Sequence, residues 1–158
     1  MKINTLRIIN HNYYFNYYQN MLKLWQCPKC KRQFQKISQG HSCVIYPVKK
    51  HLARGSDLAK NLYTELLKKL KKIGPIKIES LPCCIHFVSA YTFGCCYIMK
   101  NKIRLHFVLK EKIKDKRVNK WYKMPSQKYL YEVDIENKKE LDEKLTKWLK
   151  EAYYLKVM

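Results

Sequence analysis

Residues Ile76–Lys112 read IKIESLPCCIHFVSAYTFGCCYIMKNKIRLHFVLKEK, and the alternation inside this stretch decides the fold. Ile85, Phe87, Ser89, Tyr91 and Phe93 fall on one side of an extended chain, with His86, Val88, Ala90 and Thr92 on the other. A period of two marks a β-strand. A break at Phe93-Gly94 then separates this strand from a second over Cys95–Met99. The turn Lys100-Asn101-Lys102 leads into a third, whose Ile103, Leu105, Phe107 and Leu109 share a side. Tyr129–Ile135 alternates again and supplies a fourth. An antiparallel sheet with one apolar face needs helices to cover it. The expected architecture is therefore α+β: an antiparallel sheet of about four strands packed by two helices, preceded by a small metal-binding knuckle.

The flanking sequence offers those helices. Ser56 is placed to cap a helix running to Ile73, with Leu58, Leu62, Leu66, Leu70 and Ile73 as its apolar stripe. Gly74-Pro75 stops it, the glycine ending the helix and the proline forbidding its continuation. Near the C-terminus Asn137 caps a last helix, with Glu140 as the partner of a capping box. Leu141, Leu145, Trp148, Leu149 and Ala152 form its stripe. Three parts follow: an aromatic-rich extension over 1–24, a zinc knuckle over 25–50, and the α+β domain over 51–158. The extension carries Tyr13, Tyr14, Phe15, Tyr17 and Tyr18 with no helical or strand period, and Met21 is an alternative start.

The knuckle is the one concrete chemical motif. Trp25–Cys43 reads WQCPKCKRQFQKISQGHSC, with spacing C-x2-C-x10-H-x-C. Two cysteines separated by two residues reach one tetrahedral ion with both sulfurs. The candidate ligands are Cys27, Cys30, His41 and Cys43. The H-x-C spacing is tighter than the commoner H-x3-5 pattern, so His51 is an alternative to His41. Phe34 supplies the apolar plug of such a small unit. A knuckle of this size cannot bury a core, and structural zinc would supply its folding energy.

The other cysteines stand in adjacent pairs, Cys83-Cys84 and Cys95-Cys96. Neighbouring strand positions face opposite ways, so neither pair acts together on one side of a sheet. All four read as core or near-core filler, a disulfide framework not being expected in a cytoplasmic chain. No run approaches the roughly 20 apolar residues of a membrane helix, and the first residues lack the apolar core of a secretory signal. The expected compartment is the cytoplasm.

Lysine and arginine total 33 against 12 acids, a formal charge of +21. Such a charge speaks to partners rather than to fold and admits nucleic acid or another polyanion, although a Lys-, Ile-, Asn- and Tyr-rich composition accounts for part of it. The connector Lys112–Lys128 concentrates it. Lys112, Lys114, Lys116, Arg117, Lys120 and Lys123 are the candidate nucleic-acid contacts, with Trp121 and Tyr122 interleaved. Cations beside flat rings suit a phosphate backbone with an occasional stacked base. In the competing reading this connector is a solvated loop whose Trp121 packs inward.

Taken in order, CPKC…HSC, KHLARG, a helix ending in Gly-Pro with the strand IKIE, IHFVSAYTF, KIRLHFVLKEKI, KDKRV and ELDEKLTKWLKEAY resemble the bacterial domain of unknown function 5655. The resemblance covers Trp25–Tyr154, and that family often begins with a short Cys/His knuckle. The chain departs from it in its paired strand cysteines and its lysine content. The layout is also similar to YdhG-like and double-wing families, which include proposed iron chaperones and proposed DNA binders. The resemblance implies a fold and no activity.

Four functions compete on the residues. A nucleic-acid-associated binding module fits the charge, the knuckle and the connector. A small enzyme is disfavoured: His86 and His106 sit on the face opposite Phe87 and Phe107, no glycine-rich phosphate loop exists, and the E-x-K of Glu136-Asn137-Lys138 falls on a helix cap. An iron chaperone wants a ridge of carboxylates, because hard iron prefers oxygen ligands, and the excess of bases opposes it. A protein-interaction module is compatible with everything above. The sequence reading is thus a small cytoplasmic zinc-knuckle protein without a recognisable catalytic motif, associated with nucleic acid, its protein partners open.

Overall fold

A computed structural model of the chain describes residues 24–34, 36–89 and 91–155. The tyrosine-rich extension up to residue 23, and Ala90, lie outside the described residues. The chain divides into two compact units, meeting in sequence between Ile45 and Tyr46. In the first, β1 (Trp25–Gln26) pairs antiparallel with β2 (Gln33–Phe34), Trp25 opposite Phe34.

The second unit runs α1 (Val48–Leu52), α2 (Asp57–Ile73), β3 (Lys77–Ser80), β4 (Ile85–Val88), β5 (Thr92–Ile98), β6 (Ile103–Leu109), β7 (Val118–Lys123), β8 (Tyr129–Ile135), a 3-10 turn over Lys138–Glu140, and α3 (Glu143–Leu155). It is α+β as expected, but the sheet has six strands in the order β3-β4-β5-β6-β8-β7, every pairing antiparallel. The four-strand count left out both edges, although the family resemblance already had IKIE, around β3, as a strand. β3 is four residues long. β7 is largely exposed along its length, so neither shows the apolar alternation of an inner strand. A two-helix count missed α1, whose VKKHL has no stripe and buries only His51.

The break in the quoted stretch also moves. β4 ends at Val88, the chain bends with the Ser89 amide donating to the Tyr91 carbonyl at 2.9 Å, and β5 passes straight through Gly94. Register slips between Phe87 and Val88, from Phe87–Gly94 to Val88–Thr92. That glycine is not a turn signal. A Cβ there would stand 3.0 Å from the His106 carbonyl oxygen, so it permits close approach within the sheet.

One face of the sheet forms the core. Ile85, Phe87, Cys96, Ile98, Ile103, Leu105, Phe107, Leu109, Tyr131, Val133 and Ile135 are buried there. α2 contributes Ala59, Leu62, Tyr63, Leu66, Leu70 and Ile73, and α3 contributes Leu145, Trp148, Leu149, Ala152 and Tyr153. Ser56 caps α2 through the Ala59 amide. Leu58 does not belong to the stripe and is 45% exposed, because a strict four-residue step drifts off a 3.6-residue helix. The Asn137–Glu140 capping box is present but closes the 3-10 turn. α3 begins later, where Asp142 Oδ1 accepts from the Leu145 amide at 2.7 Å.

The opposite face is polar. Cross-strand partners align Glu79, His86, Cys95, His106 and Glu132 in one row, and Tyr97, Arg104 and Asp134 in the next. Among the described residues, no helix is long and apolar enough to cross a membrane.

Candidate metal centre and basic edge strand

The first unit is built around four donors. The Lys31 amide donates to the Cys27 carbonyl at 2.9 Å, and the Cys27 amide to the Arg32 carbonyl at 2.9 Å. Lys31 takes the left-handed conformation, φ 60°, which curls Cys-Pro-Lys-Cys so that both sulfurs face inward. Across the β1–β2 hairpin Phe34 stacks on His41 at 4.1 Å, and Trp25 meets the same ring edge-on at 6.0 Å. His41 Nδ1 lies 2.5 Å from the Gln39 carbonyl oxygen. With the Nδ1 proton committed, Nε2 is the nitrogen left able to hold a metal, an arrangement that would orient a histidine ligand.

The sulfurs of Cys27, Cys30 and Cys43 and a ring nitrogen of His41 lie within 4.8 Å of one another. Metal–sulfur bonds of about 2.3 Å and metal–nitrogen bonds of about 2.0–2.1 Å in a tetrahedron put sulfurs roughly 3.8 Å apart and a sulfur roughly 3.5 Å from a nitrogen. Cys27 Sγ and Cys43 Sγ are 3.8 Å apart. His41 Nε2 is 3.3 Å from Cys30 Sγ and 3.3 Å from Cys43 Sγ. The cluster therefore has the size and donor type of a closed tetrahedral centre.

Its electrostatics favour thiolates at the paired positions. Burial alone would raise the Cys30 thiol, but the Arg32 amide and guanidinium, with Cys27 and His41, bring it down to about 6. The Cys30 amide lowers Cys27. Burial, and then the neighbouring Cys27 and Cys30, push Cys43 up. His51, the other histidine considered as a ligand, is buried in the second unit, where its Nε2 donates to the Leu81 carbonyl at 2.8 Å.

The connector is not a loop but carries β7. Lys112, Lys114, Lys116, Lys120 and Lys123 are exposed. Trp121 is 43% and Tyr122 54% exposed, so Trp121 does not pack inward. Lys112 Nζ sits 3.9 Å above the Trp121 ring, and Tyr129 meets that ring edge-on at 5.9 Å. Arg117 parts from the group. It is 8% exposed; its Nε donates to Asp115 Oδ1 at 2.8 Å and its Nη1 to Asp142 Oδ1 at 3.1 Å and to the Glu140 carbonyl at 2.7 Å. Its work is to tie the connector to the start of α3.

The histidines set aside as catalytic candidates lie where alternation put them, on the polar face. His106 Nε2 is 3.3 Å from Glu132 Oε2, and burial holds the imidazole below its ordinary value. His106, Glu132, Arg104, Tyr97, Arg54 and Cys83 are among the residues lining a cleft of about 340 Å³. The cleft was invisible in the sequence because its walls come from separate strands, the helix–turn around His51 and Arg54, and the turn at Cys83, which only the fold brings together. Glu136 and Lys138 of the E-x-K match pair elsewhere, with Lys102 and Glu65.

A family model described as Domain of unknown function (DUF5655) matches residues 48–156. The match begins after the knuckle, whereas the resemblance read from sequence began at Trp25. No curated protein and no solved structure matches the chain.

Proposed function

Since the chain belongs to the DUF5655 family through residues 48–156, a family defined without an activity, we propose that it is a zinc-stabilised binding module that holds a nucleic-acid backbone along β7. The observation that carries this reading is the exposed edge strand, which sets Trp121 and Tyr122 among Lys112, Lys114, Lys116, Lys120 and Lys123. Rings supply stacking that tolerates any base, and the lysines supply counterion-releasing phosphate contacts.

Zinc is the ion that three thiolates and an imidazole select over hard cations. All four positions are protein groups, the closed arrangement of a structural centre. The metal's role is to fold a hairpin whose strands are two residues each and cannot bury a core. Seven free cysteines support a reducing, cytoplasmic setting.

Lysines on an edge strand also discourage sheet-to-sheet pairing, and diffuse attraction follows from the overall charge. The experiment separates these from a dedicated surface. One variant reverses Lys114, Lys116 and Lys120 to Glu; the other reverses Lys68, Lys71 and Lys72 on α2. Binding of labelled single-stranded DNA and RNA is measured across a salt series. A dedicated surface gives a much larger loss and a shallower salt slope in the connector variant. Equal losses refute it.

A further inference from the structure

The turn that opens β4 gathers soft donors of its own. The Leu81 amide donates to the Cys84 carbonyl at 2.9 Å, closing Leu81-Pro82-Cys83-Cys84, and His51 pins the same turn through the Leu81 carbonyl at 2.8 Å. Cys84 stands just before β4, and its sulfur meets the His86 side chain. Cys83 belongs to the turn and not to the strand. Its sulfur curls back to 3.2 Å from Cys84 Sγ. The adjacent pair thus does act together, against the alternation argument, because the strand begins only at Ile85. The two sulfurs and a ring nitrogen of His86 lie within 4.8 Å of one another. Cys95 stands directly across the ladder from His86. Core filling accounts for Cys96, 0% exposed and part of the core cluster, but not for Cys84, which is 2% exposed yet outside that cluster. It does not account for Cys83, which is exposed, or Cys95, which is half-buried.

We propose that Cys83, Cys84 and His86 form a second metal site, for a thiophilic closed-shell ion such as Zn²⁺, independent of the knuckle. Two sulfurs and an imidazole select soft or borderline ions, and the absence of a carboxylate from this group disfavours hard cations. Each metal–sulfur bond forms as a thiol proton leaves to solvent, so loading releases two protons from Cys83 and Cys84. Three protein ligands leave one tetrahedral position open. Cys83 also lines the cleft that holds Tyr97, Arg104, His106 and Glu132, so this ion, unlike the knuckle's, borders a space able to admit a small ligand.

The test is a Zn²⁺ titration of the reduced, metal-stripped full chain against a chromophoric chelator. Wild type takes two equivalents. Cys83→Ser/Cys84→Ser takes one, and Cys27→Ser/Cys30→Ser takes one. His86→Gln weakens the second equivalent by more than the about 10–100-fold that loss of an outer hydrogen-bond partner costs a metal ligand. Because the double serine variant removes a buried thiol, the Co²⁺-loaded Cys27→Ser/Cys30→Ser chain is a second readout: its thiolate-to-cobalt absorption remains and disappears on adding His86→Gln. A wild type that takes one equivalent, lost with Cys27 and Cys30, overturns the proposal. So does an unchanged second equivalent in Cys83→Ser/Cys84→Ser. Failure of the knuckle shows separately, as an unchanged count in Cys27→Ser/Cys30→Ser.

Discussion

The Tyr153 side chain occupies the space that a side chain at Gly74 would need. A Cβ built on Gly74 comes within 2.6 Å of Tyr153 Oη and 2.9 Å of its Cζ, while that hydroxyl donates to the Pro75 carbonyl at 3.1 Å. The φ of Gly74 is 170°, extended and open to any residue. The glycine is therefore required by packing of α3 against the end of α2, not by a left-handed helix cap. Gly74→Ala should destabilise the second unit by about 1–3 kcal/mol, the usual cost of overpacking. Tyr153→Phe removes the nearer of the two clashing atoms, so the double variant should lose less than the sum of the single changes. Thermal unfolding of the four proteins of this cycle measures the coupling, and strict additivity would refute the contact argument.

The Arg117–Asp115 pair sets an acid limit on stability. Asp115 is held well below the ordinary carboxylate range, first by the Arg117 guanidinium and then by Lys144; its side chain is 9% exposed and that of Arg117 is 6% exposed. A carboxylate depressed in the fold contributes stability that is fully present above its unfolded value, about 3.9, and is lost as pH falls toward its folded value. Asp115→Asn should cost about 3 kcal/mol at neutral pH by leaving the buried Arg117 without its nearest carboxylate. The gap to wild type should narrow steadily below about pH 5. A pH-independent gap in denaturant melts would show that Asp115 acts by shape alone.

How much was legible follows from what each feature depends on. The candidate knuckle donors follow from local spacing, which left His41 and His51 as alternatives beside Cys27, Cys30 and Cys43; the structure gathers Cys27, Cys30, His41 and Cys43 into a cluster that could hold a metal. The inner strands β6 and β8 show a clean period of two because one of their faces is buried, as in Ile103–Leu109. β7 shows none, since an exposed edge strand is held by backbone bonds to β8 and asks nothing of its side chains. Arg117 looked like its neighbouring lysines because the groups that enclose it, Trp148 and the Glu140 carbonyl, are distant in sequence; Asp115 two residues before it was the one local signal. Cys83 lies in a turn and not on the strand where its sequence neighbourhood put it. Pro82 just before it was the available signal of a turn.

The two units should respond differently to chelation. Removing metal should unfold the β1–β2 hairpin, since its short strands have no core to fall back on. The sheet and its helices, with their own core around Phe87, Phe107, Tyr131 and Trp148, should keep their cooperative melt. Hydrogen exchange before and after adding a chelator is the measurement. Protection lost over residues 24–45 and retained in β5, β6 and β8 is the expected result. Cys27→Ser should reproduce it, and Cys96→Ser should leave exchange in residues 24–45 unchanged.

Trp121 and the lysines around it should fail in different ways. The ring is held by Lys112 at 3.9 Å and by Tyr129 at 5.9 Å, and it is exposed enough to offer a face to a base. If β7 binds single strands as proposed, Trp121→Ala removes stacking, worth about 1–3 kcal/mol per base. It changes no charge, so affinity should fall while the salt slope stays as it was. Lys120→Ala removes a phosphate contact, so the slope should become shallower by about one counterion, with a smaller loss at high salt. Lys120 lies opposite Glu132 in the β7–β8 ladder, which makes Lys116→Ala the cleaner companion, as its exposed side chain stands outside the ladder. Measured on both single- and double-stranded probes, the Trp121 effect should be confined to the single strand, whose bases are free to leave their stack. An equal Trp121→Ala loss on duplex would mean that the ring only supports Lys112. A loss on neither would remove nucleic-acid stacking from the edge strand altogether.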